Sequence, residues 1–320
     1  MLPPFQSVEI VRVRDGSHAA GIDRAATEEP LEIRLHGRPF AVIMRTPGAD
    51  RALAAGFLLA EGVLRSADDL ATIESYTDST VEHAAGEHVA REHSAPEQPV
   101  PEHPAPKHPA PEPPGTQHPS TGHSALGTQH PDNVVNILLS NGSPEMLDQI
   151  LANRRQVGMN SSCGLCGRLT IESLRVDAPP LASSWTIAGS TLTGLPELLR
   201  GAQTVFDETG GLHAAGLFTD SGRLDEIAED VGRHNAVDKV IGRMLMRNAL
   251  PLSRHLLLVS GRTSFEIVQK AFLAGIPIVG AVSAPSSLAV DLAKEAGITL
   301  VGFLRGGSFN VYAHPQRISA

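Results

Sequence analysis

The chain has 320 residues, 41% of them apolar, and a formal charge of −9. It is long enough to bury a core in one large domain or two ordinary ones, and too acidic for non-specific grip on nucleic acid to be its main task. No basic segment followed by an apolar run opens the sequence at Met1, and apolar runs such as Ala52 to Ala60 fall far short of the roughly 18 residues that span a bilayer. With two cysteines, too few for a disulfide framework at this size, a soluble cytoplasmic protein with neither nucleic acid nor membrane as partner is expected.

Leu31 to Met44 reads as a hairpin, with Glu32-Ile33-Arg34-Leu35 and Ala41-Val42-Ile43-Met44 around His36-Gly37-Arg38-Pro39. Asp50 can cap a helix that runs through Ala60 and stops at Gly62. From about Asp78 to Pro131 the composition turns abruptly to His, Pro, Glu and Ala, with a five-residue period through Glu82-His83, Glu87-His88 and Glu92-His93. This stretch has almost nothing β-branched or aromatic to pack, and its prolines remove backbone donors, so a disordered insert with local polyproline character is expected. Its histidines could capture a divalent metal. A slipped repeat tolerated in an exposed loop is the simpler account, because a flexible chain preorganises no ligand geometry.

Ordered sequence resumes with a strand over Asn133 to Leu139, and Ser143-Pro144 starts a helix to about Arg154 by the N-cap and N1 rule. Residues 1–77 and 132–175 thus read as one small α+β domain interrupted by the insert at 78–131. It ends in the loop Ser161-Ser162-Cys163-Gly164-Leu165-Cys166-Gly167, ahead of the strand-like Leu169-Thr170-Ile171. Residues 176–320 read as an α/β domain. Pro196 opens a helix that ends near Thr209-Gly210-Gly211, and strands at Leu212–Thr219 and Arg223–Ala228 follow. Helix His234–Asn248, strand His255–Val259, helix Ser264–Ala274, strand Pro277–Val282, helix Ser287–Ala296 and strand Thr299–Phe303 come next, with Val311-Tyr312 in a last short strand. Strands alternating with helices of this length predict parallel βαβ units and a mostly parallel sheet.

Ligands of such a sheet bind where the loops leave the C-terminal ends of its strands. These loops are Ser260-Gly261-Arg262-Thr263-Ser264, Ser283-Ala284-Pro285-Ser286-Ser287 and Phe303-Leu304-Arg305-Gly306-Gly307-Ser308. The first two enter helix N-termini, which suit phosphate, although Ser, Thr and Pro there are also ordinary caps. Glu229-Asp230-Val231-Gly232-Arg233-His234-Asn235-Ala236-Val237-Asp238-Lys239 gathers six ionisable side chains at a strand-to-helix junction, either to converge on a ligand or as a solvated turn. His213 lies within an apolar strand and reads as a core histidine.

A Cys-x-x-Cys between glycines leaves several chemistries open. Structural zinc needs four ligands, and the pair supplies two, with His213, His234 or a second copy to complete the set. A thioredoxin-like pair opens a helix, which Gly164 and Gly167 disfavour. Sulfur carriage needs only an exposed thiolate of lowered pKa, to which Arg154, Arg155 and Arg168 could contribute positive potential. An inert surface pair is the bland alternative.

Several motifs in one order resemble the FdhD-type formate dehydrogenase accessory sulfurtransferases. They are Glu29-Pro30-Leu31-Glu32-Ile33, Met44-Arg45-Thr46-Pro47-Gly48, Ala55-Gly56-Phe57-Leu58-Leu59-Ala60-Glu61-Gly62, Ser162-Cys163-Gly164-Leu165-Cys166-Gly167 and Asp230 to Lys239. Ser260-Gly261-Arg262, Ala281 to Ser287 and Leu300-Val301-Gly302-Phe303 extend the resemblance to nearly the whole chain outside the insert. It implies a carrier that takes persulfide sulfur from a cysteine desulfurase and passes it to the molybdenum cofactor, as bis(molybdopterin guanine dinucleotide), before insertion into formate dehydrogenase. By the same resemblance Cys163 bears the persulfide and Cys166 assists. Phe303, Leu304, Arg305, Gly306, Gly307 and Ser308 bind the cofactor, for which GDP would be a mimic, with no structural metal. The larger domain would be cytidine deaminase-like and the protein a homodimer.

Two other classes remain in view. A zinc deaminase uses His-x-Glu and Pro-Cys-x-x-Cys, whereas here Ala214 and Ala215 follow His213, and Cys163 lacks a preceding proline. A cofactor chaperone would bind the nucleotide without moving sulfur.

Overall fold

The structure, a computed structural model, describes residues 2–75, 133–152 and 178–319. The expected insert at 78–131, the Cys163–Cys166 loop, the strand-like Leu169–Ile171 and the end of the helix expected at Arg154 lie outside the described residues.

The first element is a hairpin, β1 (Phe5–Arg14) and β2 (Ser17–Ala26), which forms a two-stranded sheet by itself. Its sequence hardly announces it, because β2 has one β-branched residue, Ile22, and both strands are largely exposed. A second sheet has the order β4-β3-β6-β5, from β3 (Glu29–Leu35), β4 (Arg38–Arg45), β5 (Leu70–Ser75) and β6 (Val134–Leu139). The strand period of two shows in β3, where Leu31, Ile33 and Leu35 are all fully buried. Helix α1 (Asp50–Ala60) follows β4, and Asp50 is its first helical residue rather than its cap. Ala49 takes the cap position in the left-handed region, while both Asp50 carboxylate oxygens accept from Arg45 at 2.9 Å. Helix α2 (Pro144–Ala152) starts as expected, with Ser143 Oγ accepting from the Met146 amide.

After the short β7 (Ile187–Ala188), helix α3 (Gly189–Gly201) begins seven residues before Pro196, which therefore sits inside the helix and not at its start. Losing one backbone donor there is offset by Leu192, Leu195 and Leu199, buried at helical spacing. Next come α4 (Thr204–Thr209), β8 (His213–Thr219), β9 (Leu224–Asp230), α5 (Arg233–Met246), β10 (His255–Val259) and α6 (Phe265–Leu273). The chain finishes with β11 (Ile278–Ala281), α7 (Ser287–Ala296), β12 (Thr299–Arg305), β13 (Ser308–Ala313) and β14 (Ile318–Ser319), which pairs with β7.

These strands form a six-stranded sheet in the order β13-β12-β11-β10-β8-β9. Only the β10–β11 and β11–β12 pairings are parallel, so the expected mostly parallel sheet is corrected to a mixed one whose other three pairings are antiparallel. The reason lies in the connections. Helices α6 and α7 give parallel crossovers, while the tight turns between β8 and β9 and between β12 and β13 can only make hairpins. The β12–β13 pairing carries two register shifts. Leu256 and Leu258 face α3, whereas Leu257 and Val259 face the core shared with α5, α6, α7 and α1.

The two larger sheets meet through α1 and α5. A Cβ at Gly56 would overlap the carbonyl oxygen of Asp238, and one at Gly242 the carbonyl oxygen of Ala52. Gly242→Ala should therefore force the helices apart and cost about 3 kcal/mol or more, lowering the melting temperature by roughly 6–12 °C. Gly194→Ala in α3, where a Cβ meets nothing within 4 Å, should instead stabilise by about 0.5–1 kcal/mol. Thermal denaturation of both variants checks the pair of opposite signs.

Candidate functional site

The C-terminal ends of β10, β11 and β12 deliver three connections to one sheet edge. Because β8 is antiparallel to β10, its first residue, His213, arrives there too, paired with Asp230 at the end of β9. Hydrogen bonds stitch the edge together. Ser260 Oγ accepts from the Ala214 amide (2.9 Å), the Ser286 amide donates to Thr263 O (2.9 Å), and the Phe303 amide to Ser283 O (3.1 Å). Helices α5, α6 and α7 all begin here. Ser286 Oγ caps α7, accepting from the Ala289 amide, whereas no side chain caps α5 or α6. The α6 cap residue, Ser264, has its hydroxyl 2.9 Å from His234 Nε2 instead.

The residues predicted to bind the cofactor form a hairpin tip rather than a strand-to-helix loop. Gly306 and Gly307 both have positive φ, the geometry that lets two residues turn β12 into β13. Arg305 is exposed, with its guanidinium carbon 5.5 Å from the centroid of the half-buried Phe303 ring. Ser308 Oγ donates to Arg305 O (3.3 Å). Leu304 differs from its neighbours in that its side chain is fully buried against α3 with Leu258 and Val301, which anchors the hairpin. Cys163 and Cys166 lie outside the described residues.

The Asp230–Lys239 motif proves to be mainly a fastening. Asp230, fully buried, sits 2.6 Å from Lys239 Nζ and accepts from the Thr46 and Gly232 amides and from Asn235 Nδ2. Lys239 also donates to Thr46 O (2.9 Å), Asn235 to Met44 O (2.8 Å), and the Val231 amide to Thr46 Oγ1 (3.1 Å). Asp238 turns away to a buried pair with Lys270 (2.6 Å); burial pushes its carboxyl above the usual range, against the pull of that lysine. Nothing in the spacing of the motif separates the residues used for packing from those left for a ligand. A buried Lys239 or Asn235 bound to backbone carbonyls of a distant segment is visible only once β4 is seen beside α5.

What remains of the motif at the edge is Arg233 and His234. His234 Nε2 is also 2.9 Å from Glu266 Oε2, with both side chains buried. His213 is half-buried, not a core residue as expected, because it is the first residue of its strand. Burial, then the charges of Arg233 and His234, push its imidazole below the ordinary histidine value, with Asp230 opposing. A Cβ on Gly261 would come within 3.3 Å of His213 Nδ1 and 3.7 Å of Arg233 Cδ, so both side chains close directly over that backbone. Among the described residues, no three His, Cys, Asp or Glu side chains group so as to hold a metal ion.

Lys239→Met should leave the Asp230 carboxylate buried without its cation and cost about 3–5 kcal/mol. Adding Asp230→Asn should recover part of that loss. Urea denaturation of the single and double variants measures the coupling.

Comparison with known proteins agrees across the chain. The family described as FdhD/NarQ matches residues 26–101 and 130–319. The sulfur carrier protein FdhD of Streptomyces avermitilis is 45% identical over 318 residues, covering 97% of this chain and 94% of the relative. That of Sulfurisphaera tokodaii is 38% identical, covering 97% and 98%. A crystal structure from Desulfotalea psychrophila, described as a candidate formate dehydrogenase accessory protein, superposes with a TM-score of 0.65 over 99% of this chain and 100% of its own, at 23% identity. At that identity the superposition speaks for the fold alone. With the family motifs matched on both sides of the His/Pro-rich stretch and curated relatives alike over nearly their full length, this chain belongs to the FdhD/NarQ family.

Proposed function

We propose that this protein is a sulfur carrier that receives persulfide sulfur from a cysteine desulfurase and passes it to a molybdenum cofactor of the bis(molybdopterin guanine dinucleotide) type destined for formate dehydrogenase. The observation that carries the reading is the near full-length likeness to proteins named sulfur carrier protein FdhD. In the first step the Cys163 thiolate attacks the terminal sulfur of the donor's persulfide, an S–S bond forms on Cys163, and the donor leaves as a thiolate. Cys166 assists from three residues away. The cofactor is the substrate. Its phosphates and planar base suit an edge where three helices begin, Phe303 stands half-buried and Arg305 is exposed. The same reading takes the six-stranded unit as cytidine deaminase-like and two copies as the working assembly. No described helix is long and apolar enough to cross a membrane. The same reading has the carrier meet its partners in the cytoplasm.

Incubating the full-length protein with a cysteine desulfurase and cysteine, then mapping peptides by mass spectrometry, should find one added sulfur on Cys163. Cys163→Ala should abolish formate dehydrogenase maturation while guanine nucleotide binding survives. Full maturation by that variant would remove Cys163 from the mechanism, and a wild type that binds nucleotide yet gains no sulfur would be a chaperone instead.

A further inference from the structure

We propose that His213 and Arg233, closing over Gly261 where α5 and α6 begin, form a seat for the phosphate groups of the nucleotide moiety, apart from the Phe303–Ser308 hairpin. This rests on the nucleotide-bearing substrate proposed above and assigns it residues outside the stretch implied by the resemblance.

Three observations converge on this corner. Arg233 Nε is buried and has no acceptor among the described residues. A buried N–H without a partner costs about 1–3 kcal/mol, and a phosphate oxygen supplies the missing acceptor as a charge-assisted bond. Gly261 lets His213 and Arg233 approach the β10–α6 connection closely, and any larger residue would fill the space between them. Helices α5 and α6, of 14 and 9 residues, begin here without a side-chain cap, the Ser264 hydroxyl being held by His234. Their free amides and positive dipole ends therefore remain for an anion.

The charge balance agrees. Facing His213 are Arg233 and His234 from α5 and Asp230 from β9, while Ser260 and Gly261 of the neighbouring connection are uncharged. Asp230 is committed to Lys239 and the Glu266 carboxylate lies against His234, while Arg233 Nε finds no acceptor among the described residues. Burial first and the Arg233 charge second hold the His213 imidazole below the ordinary histidine value, and an anion on Arg233 would ease the second of these. Between β8 and β12 lie two strands, so the seat and the hairpin are roughly 14 Å apart at the usual strand spacing. A ligand touching both must be elongated, as a nucleoside diphosphate with a further group attached is.

The test uses the full-length protein, with GDP, inorganic pyrophosphate and guanosine as probes. Calorimetry should show Arg233→Gln weakening GDP and pyrophosphate by about tenfold or more while guanosine binds as to wild type. In wild type, NMR titration of His213 should give a midpoint below the ordinary histidine value that rises when GDP or pyrophosphate is added and stays put with guanosine. Stability should accordingly fall as pH drops below about 6.5, because the unfolded chain protonates this histidine before the folded one does. Unchanged GDP affinity in Arg233→Gln, no movement of the His213 midpoint, or a wild type that binds neither GDP nor pyrophosphate each overturns the seat. Should Arg233→Gln fail to fold, the wild-type His213 titration decides by itself. Sulfur loading on Cys163 is measured separately, so the seat can fall while the carrier stands.

Discussion

The structure turns on the backbone contact between α1 and α5. Two helices that meet through Gly56 and Gly242 approach until main chain touches main chain, and no side chain of either helix can be inserted between them. That approach brings the end of β4 beside the start of α5, so Met44 and Thr46 lie within reach of Asn235, Lys239 and Asp230. Arg45 continues the attachment from the other side, fully buried and bound to Asp50, Glu29 and Asn133. The polar network could not close at a wider helix spacing, and without it a fully buried aspartate would be untenable.

The network also divides labour within one short segment. Asp230, Asn235, Asp238 and Lys239 are consumed by the fold, while Arg233 and His234 stay at the sheet edge with His213. The first set is neutralised internally, Asp230 with Lys239 and Asp238 with Lys270, so none of its charges is left over for the edge. A ligand edge built this way needs few exposed arginines, and the chain's overall negative charge does not contradict an affinity for phosphate, since short-range hydrogen bonding outweighs a screened distant field.

Much of the architecture was legible in the sequence because the strands of the central sheet are short, apolar and punctuated. β10, α7 and the hairpin of β3 and β4 fall nearly where hydrophobic period and turn residues put them. The sheet's sense was misjudged because β12 returns through Gly306-Gly307 and β9 through Asp220-Ser221-Gly222, turns that look like loops until the strands on both sides are paired. Pro196 misled as a helix start because a first-turn proline and an interior one look alike in sequence, and three buried leucines decide the matter. Leu304 joins Val301 against α3 only because the backbone turns irregularly at Phe303, which has positive φ, a break in the strand period that the sequence does not announce. In the same way, Asp230 and Lys239 are polar by type and structural by position, a distinction that depends on a strand almost two hundred residues earlier.

The shifted register between β12 and β13 has a bearing on how copies of this chain behave in a crowded solution. β13 is the outermost strand at one margin of the sheet, and its irregular pairing twists it out of a flat template. At the opposite margin β9 is braced by its neighbours, Glu226 pairing with Arg243 and Arg247 and Glu229 accepting from the Val205 and Phe206 amides at the start of α4. Neither margin invites another chain to extend the sheet. A strand-rich protein is thereby protected from edge-to-edge aggregation, and any specific pairing of two copies is left to the helical faces and loops.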